Sequence, residues 1–268
     1  WSWLGAALQA TSMAFGVVNA PGDRYHPAII AQAAATLAEM FPDRFWLAVG
    51  SGEALNEHVT GQPWPLKPER NERLRECAAV MRALWRGETV THHGRVVVEE
   101  ARVYSLPVRP PRLYCAAVSE ETAGWAGGWA DGLVTTGRPR AAMAQMIDAF
   151  VRGGGAGKPI IVQHTLSWAR SQAEAQRAAF DQWRISALTG HLLWDLRTPR
   201  EFDEAARGIT MNDVARKISI TASLAEHTRQ LHAYSELGID QVYIFNVGKN
   251  QREFIDVFGT DVLPHLRS

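Results

Sequence analysis

Short apolar runs alternate with longer stretches of helical spacing along almost the whole chain. Apolar residues recur at helical intervals through Trp3, Leu4, Ala7 and Leu8, predicting a helix over 1–11, and 14–18 then reads as a buried strand. His26-Pro27 opens a second helix reaching about residue 40, proline being suited to its first turn. A second strand is predicted at 45–49 and ends in Gly50-Ser51-Gly52. After a loop punctuated by Pro63, Pro65 and Pro68, the residues Leu74, Cys77, Ala78, Met81, Leu84 and Trp85 mark a helix over 69–85. The segment 88–104 reads as an inserted hairpin that turns near His93-Gly94-Arg95. Further strands are predicted at 113–117, 133–136, 160–166, 218–221 and 241–246. Helices are predicted at 120–129, from the fourth strand to 152, at 171–188, at 224–237 and at 251–258. Residues 190–217 form an irregular, partly helical insertion.

Strands alternating with helices predict an α/β fold whose parallel strands are buried on both faces. The continuous rhythm of six or seven such units fits a TIM (β/α)8 barrel forming a single domain over 1–268. A G-x-G-x-x-G turn after a strand would point instead to a dinucleotide-binding sheet, and the sequence has none. Length agrees with one barrel, since 268 residues lie close to the roughly 250 that such a barrel uses. In that architecture, function belongs to residues that follow the strands.

Composition narrows the function classes. With 46% hydrophobic and 21% charged residues, the chain is neither disordered nor fibrous. Lys+Arg and Asp+Glu both number 28, so bulk charge gives no case for nucleic acid or anionic membrane. Cys77 and Cys115 are too few for a disulfide framework and read as core thiols of a cytoplasmic protein. Residues 1–22 carry no charge, but Gln9, Thr11, Ser12 and Asn19 interrupt them and Pro21-Gly22 closes them, which predicts buried core rather than a span. The nine histidines show no metal-binding spacing: His92-His93 reads as solvated, His26 as a helix cap and His164 as a satisfied core residue.

The richest post-strand segment is Gly50-Ser51-Gly52-Glu53-Ala54-Leu55-Asn56-Glu57. Its small residues let a planar or phosphorylated ligand approach the backbone, and Glu53 would bring a carboxyl whose pKa burial can raise. The alternative is structural, with Ser51 or Glu53 capping a short helical turn. Ser119 either adds a hydroxyl to the amides of a helix start or is only its N-cap. In Thr135-Thr136-Gly137-Arg138-Pro139-Arg140, hydroxyls and guanidiniums suit a phosphate or carboxylate, though arginines are also common at surface helix starts. Asn250-Gln251-Arg252 poses the same choice. Most of the ten tryptophans belong to the core, leaving a minority to wall a flat ligand.

The runs His26-Pro27-Ala28-Ile29-Ile30-Ala31-Gln32 and Phe45 through Glu57 resemble the bacterial luciferase-like flavin oxidoreductases. The resemblance extends to the E-R…R-L-x-x-x-x-x-V-M-R-x-L-W-x-G pattern over 70–87, to Ala130-Asp131-Gly132 and to Asn250-Gln251-Arg252-Glu253-Phe254. Within that family the sequence is most similar to the branch of F420-dependent glucose-6-phosphate dehydrogenases and their FMN-using relatives.

The resemblance implies a barrel binding FMN or F420, with FMN preferred, at the carboxyl ends of its strands. Ser51, Gly52 and Asn56 would contact the cofactor, and Glu53 would be the proton donor. Val118 and Ser119 stand where the family has a Gly-Gly pair near the cofactor phosphate. Asn19 lies where the family often has a strained non-proline cis peptide behind the ring. Thr136, Arg138 and Arg252 match positions that hold a sugar phosphate. The family also begins with a strand, a helix and a further strand carrying an Asp-His pair and a Trp, and Trp1 already falls in the next helix. The expectation is that about 50 such residues belong to the whole molecule ahead of it. By likeness the protein would be a homodimer acting on a small organic substrate by hydride transfer. The alternatives are an O2-using flavin monooxygenase and a flavin-binding protein without turnover.

Overall fold

Leu4 and Leu8 stand one turn apart on α1 (Ser2–Ala10), and both are buried. That stripe fixes the first helix to the core. The computed structural model describes residues 1–266, which belong to two units, Trp1–Ala116 and Ala117–Ser268.

In the first unit α1 leads into β1 (Phe15–Asn19), α2 (Pro27–Met40) and β2 (Phe45–Val49). A short α3 (Ala54–Glu57) and the long α4 (Lys67–Trp85) follow, then the hairpin of β3 (Val90–His93) and β4 (Val97–Ala101), and finally β5 (Leu113–Ala116). His26 caps α2 by accepting the Ala28 N–H on Nδ1, and Pro27 takes a position where no N–H is needed. β2 lies between β1 and β5 with all three parallel. Its Leu47, Ala48 and Val49 have no exposed surface, as a strand covered on both faces requires. α2 packs on α4, where the Trp85 indole donates to the Ala31 carbonyl. Glu76 of α4 tethers the hairpin, accepting from the Arg95 N–H at 2.7 Å and lying 2.9 Å from His92 Nε2. His92 is therefore a paired side chain rather than the solvated one expected; His93 is exposed and lies 2.9 Å from Glu99.

The second unit runs through α5 (Glu120–Gly127), β6 (Leu133–Thr136), α6 (Arg140–Phe150), β7 (Ile160–Ser167) and α7 (Gln172–Trp183). Three short helices, α8 (Leu192–Asp195), α9 (Pro199–Ala205) and α10 (Met211–Ala215), occupy most of the predicted irregular insertion. Capping boxes open two of them, Thr198 with Glu201 and Thr210 with Asp213. The unit ends in β8 (Ser219–Ile220), α11 (Leu224–Ser235), β9 (Gln241–Asn246) and α12 (Gln251–Asp261). β7 pairs in parallel with β6, β8 and β9. Its Val162 and Leu166 are fully buried. No helix among the described residues is long and apolar enough to cross a membrane.

Glycines let α5 touch the turn that ends α6. A Cβ on Gly153 would stand 1.8 Å from the Gly124 carbonyl oxygen, and one on Gly127 would stand 2.4 Å from that of Phe150. Gly157, by contrast, has φ +73° with open space around it. Gly153→Ala should therefore cost about 3 kcal/mol through backbone displacement, and Gly157→Ala about 1 kcal/mol through its left-handed backbone alone. Urea unfolding of both variants checks the order; equal midpoints would place Gly153 outside the packing.

Candidate active site

Asn19 and Val49 are paired at the ends of β1 and β2, and the Gly50 N–H adds one more bond to the Asn19 carbonyl at 2.9 Å. The two chains thus leave the sheet at the same level. β1 ends one residue later than its sequence predicts, which makes Asn19 its last member. Every peptide bond among the described residues is trans, so the cis bond expected near Asn19 is not there. The ladder holds Asn19 in extended backbone, and a non-proline cis bond would cost about 3–4 kcal/mol. Its side chain is buried, and Oδ1 has no donor.

Beyond β2 the chain turns at Gly52, whose φ of +84° is disfavoured for other residues. A Cβ there would lie 3.2 Å from Ala20 Cβ, 3.3 Å from Glu57 Cγ and 3.4 Å from the Trp64 ring. The Arg70 guanidinium sits 4.2 Å from the centre of the Trp64 ring and donates to the Pro65 carbonyl at 2.7 Å, which fixes this wall. Glu57 is buried and accepts from Arg24 Nε at 3.1 Å. Ser51 is half-buried beside Gly52.

Glu53 occupies the N-cap position of α3, yet its side chain caps nothing. Its recorded partner is the Asn56 amide, which reaches Oε2 at 3.4 Å. Partial burial without a cation raises its carboxyl pKa above the ordinary value. The capping alternative for Glu53 thus gives way to a half-buried, uncompensated acid. The residues present fit a flat ring carrying N–H donors: Asn19 Oδ1 lacks a donor, and Gly52 keeps its backbone bare beside Trp64.

In the second unit Ser119 does act as a cap, accepting the Thr122 N–H at 3.3 Å, with its Oγ 2.8 Å from Thr122 Oγ1. Val118 is exposed, and its carbonyl accepts from Arg138 Nη2 at 3.4 Å. Arg138 also reaches the Thr136 carbonyl at 3.4 Å and the buried Thr135 hydroxyl at 3.3 Å, all long bonds. No carboxylate pairs with it among the described residues. Burial lowers its pKa, partly opposed by Glu120 and Tyr234.

Arg138 lines a hollow of about 340 Å³ together with Lys217, His164, Gln230 and Tyr234. Of the other cations there, Arg140 is paired with Glu236 and Arg216 with Asp213, whereas Lys217 has no ion pair among the described residues. The sequence reading missed Lys217, although a basic pair directly before a short strand was the available signal. His164 lies 2.9 Å through Nδ1 from the Tyr234 hydroxyl, while its Nε2 has no partner, so this histidine is only half satisfied. Burial brings its pKa down to about 4 and leaves it neutral.

Thr136 and Arg252 do not line the hollow, and Thr136 bears on it only through the bond of its carbonyl to Arg138. Arg252 is exposed on the first turn of α12, next to side chains that have structural work. Asn250 bonds the Trp168 carbonyl and receives Asn246 Nδ2, and Gln251 donates to the carbonyls of Asn246 and Gly248.

The model of the luciferase-like monooxygenase family matches residues 1–241. The chain belongs to that family. This luciferase-like oxidoreductase is 34% identical over 281 residues to an F420-dependent glucose-6-phosphate dehydrogenase of Intrasporangium calvum, covering 99% of this chain and 84% of the relative. The enzyme of that name from Mycobacterium tuberculosis is 31% identical, with 99% and 83% covered. Among solved structures, an F420-dependent secondary alcohol dehydrogenase in complex with an F420-acetone adduct superposes with a TM-score of 0.90 at 27% identity, covering 100% of this chain and 84% of that one. The F420-dependent tetrahydromethanopterin reductase of Methanopyrus kandleri shares the fold, with a TM-score of 0.76 at 18% identity over 100% and 88% of the two chains. The luciferase-like oxidoreductase thus has a TIM-barrel-type α/β fold.

A raised carboxyl pKa in the folded state means that ionising Glu53 costs stability as pH rises through that value. Glu53→Gln should unfold at a higher temperature than the parent at pH 7, with the gain vanishing near pH 4. Scanning calorimetry at the two pH values measures this, and identical differences would show Glu53 to be fully solvated.

Proposed function

We propose that this chain is an F420-dependent dehydrogenase that oxidises the alcohol of a small anionic substrate, a sugar phosphate of the glucose 6-phosphate kind. The cofactor is argued from the relatives, whose names carry F420. No feature of the geometry prefers FMN, so the preference for FMN drawn from the resemblance is replaced. The substrate class rests on one observation: Arg138 and Lys217 line one hollow without recorded ion pairs. A phosphate would supply the missing countercharge, and an arginine fork binds it by two parallel bonds.

Bound at this site, F420 would supply the acceptor for the hydride that leaves the substrate carbon. The substrate hydroxyl proton passes to solvent as the carbonyl forms. Glu53 keeps its proton to higher pH than an exposed carboxyl and gives it where the reduced ring gains charge. Ser51, Gly52 and Asn56 would hold the ring from the turn after β2, and the unpartnered Asn19 Oδ1 would accept from a ring N–H. Val118 and Ser119 would offer the start of α5 to the cofactor phosphate, and Thr136 would act on the substrate anion only through its carbonyl bond to Arg138. Arg252 remains a second candidate for that anion because it is exposed without a recorded partner.

The purified protein mixed with F420 and glucose 6-phosphate should lose the visible band of oxidised F420. Glu53→Gln should lower kcat about 100-fold while the F420 Kd stays within about twofold. Arg138→Ala should raise KM for glucose 6-phosphate about tenfold or more, with a smaller effect on kcat. Oxidation of 2-propanol but not of glucose 6-phosphate would overturn the anionic substrate. Reduction of added FMN in place of F420 would assign the other cofactor, and turnover that consumes O2 would assign a monooxygenase.

A further inference from the structure

We infer that Tyr234 and His164 are a positioning pair that sets the direction of Arg138, a role that rests on the anionic-substrate reading above. The turn bearing Arg138 is pinned from two sides. From β7, the Gln163 carbonyl accepts the Gly137 N–H at 2.8 Å. From α11, the Tyr234 hydroxyl stands only 2.6 Å from where a Gly137 Cβ would be, and His164 Nδ1 stands 3.2 Å from it. The tyrosine cannot drift, because its hydroxyl is tied to His164 Nδ1 at 2.9 Å and both side chains are buried. Pro139 then fixes the backbone on the far side of Arg138. What remains to Arg138 is its side chain, held by three bonds of 3.3–3.4 Å that are too long to lock it alone.

The chemistry of the pair matters as much as its place. A carboxylate at position 234 or 164 would also orient the guanidinium, but it would neutralise it. Tyr234 is held as the neutral phenol, its pKa pushed up to about 12 by burial, and His164 is neutral as well. Two neutral groups brace the turn without forming an ion pair with Arg138, so its charge stays available to a ligand. Gly137 is the complement: any side chain there would collide with the hydroxyl that does the bracing.

A double-mutant cycle tests this, with calorimetric Kd values for glucose 6-phosphate and inorganic phosphate. Tyr234→Phe should weaken both about fivefold in the parent and leave them unchanged in Arg138→Ala. His164→Leu should weaken binding like Tyr234→Phe, whereas His164→Asn, whose Oδ1 replaces Nδ1 as an acceptor, should restore it. In a nitrogen-15 spectrum the Arg138 Nε–Hε signal should broaden in Tyr234→Phe without ligand, while other arginines keep theirs. Equal weakening in both backgrounds, or an Arg138 signal unmoved in a folded Tyr234→Phe protein, would overturn the positioning role. If Arg138→Ala binds both anions as the parent does, the anionic reading itself fails and this role falls with it. If Arg138→Ala weakens binding and Tyr234→Phe does not, only the role of the pair is lost.

Discussion

Parallel pairing does not stop where the strands stop. The residue after a strand donates one more N–H into its neighbour: Gly50 to Asn19, Gly137 to Gln163 and Val247 to Leu166. A parallel ladder with slanted bonds leaves a carbonyl waiting on the neighbouring strand where each strand stops, and satisfying it dictates where the turn begins. Within each unit, polar turns therefore start from a fixed platform. Where that first residue is Gly137, the missing side chain makes room for the Tyr234 hydroxyl.

Those turns carry charges that the protein itself leaves unanswered. Across the surface many carboxylates and guanidiniums are paired, as in Arg170–Glu253 and Arg184–Asp203, and such exposed pairs contribute little to stability. Glu53 and Arg138 differ in being partly desolvated without a counter-ion. Partial desolvation without a partner costs folding energy and persists where a ligand supplies the missing group. Cys77 and Cys115 show the contrast: burial pushes both thiols up to about 12, which makes them inert packing atoms rather than a reactive site.

Much of the fold was legible because periodicity and punctuation agreed. β2, β6 and β9 fall at their predicted bounds, and His26-Pro27 caps α2 as read. The stretch read as irregular shows where legibility ended. Thr198-x-x-Glu201 and Thr210-x-x-Asp213 were visible start signals, but helices of seven and five residues carry too little apolar periodicity to register. Side-chain pairing was harder to foresee. His92 finds Glu76, and Asn250 and Gln251 become a latch, because those partners lie 16 and more residues away or depend on how the turn closes.

The site was legible as segments and illegible as geometry. The run from Gly50 to Glu57 announced itself by composition, and the freedom of Glu53 from capping emerged only with α3 in place. Lys217 joins Arg138 because β8, a strand of two residues, pairs with the end of β7 and brings the residues before it to the hollow. No local pattern encodes that approach. It follows from β7 being long enough, at eight residues, to offer its far end to β8 while its first half serves β6 and Ile161 through Leu166 serve β9. The length of β7 thus decides that Lys217 reaches the hollow that Arg138 lines.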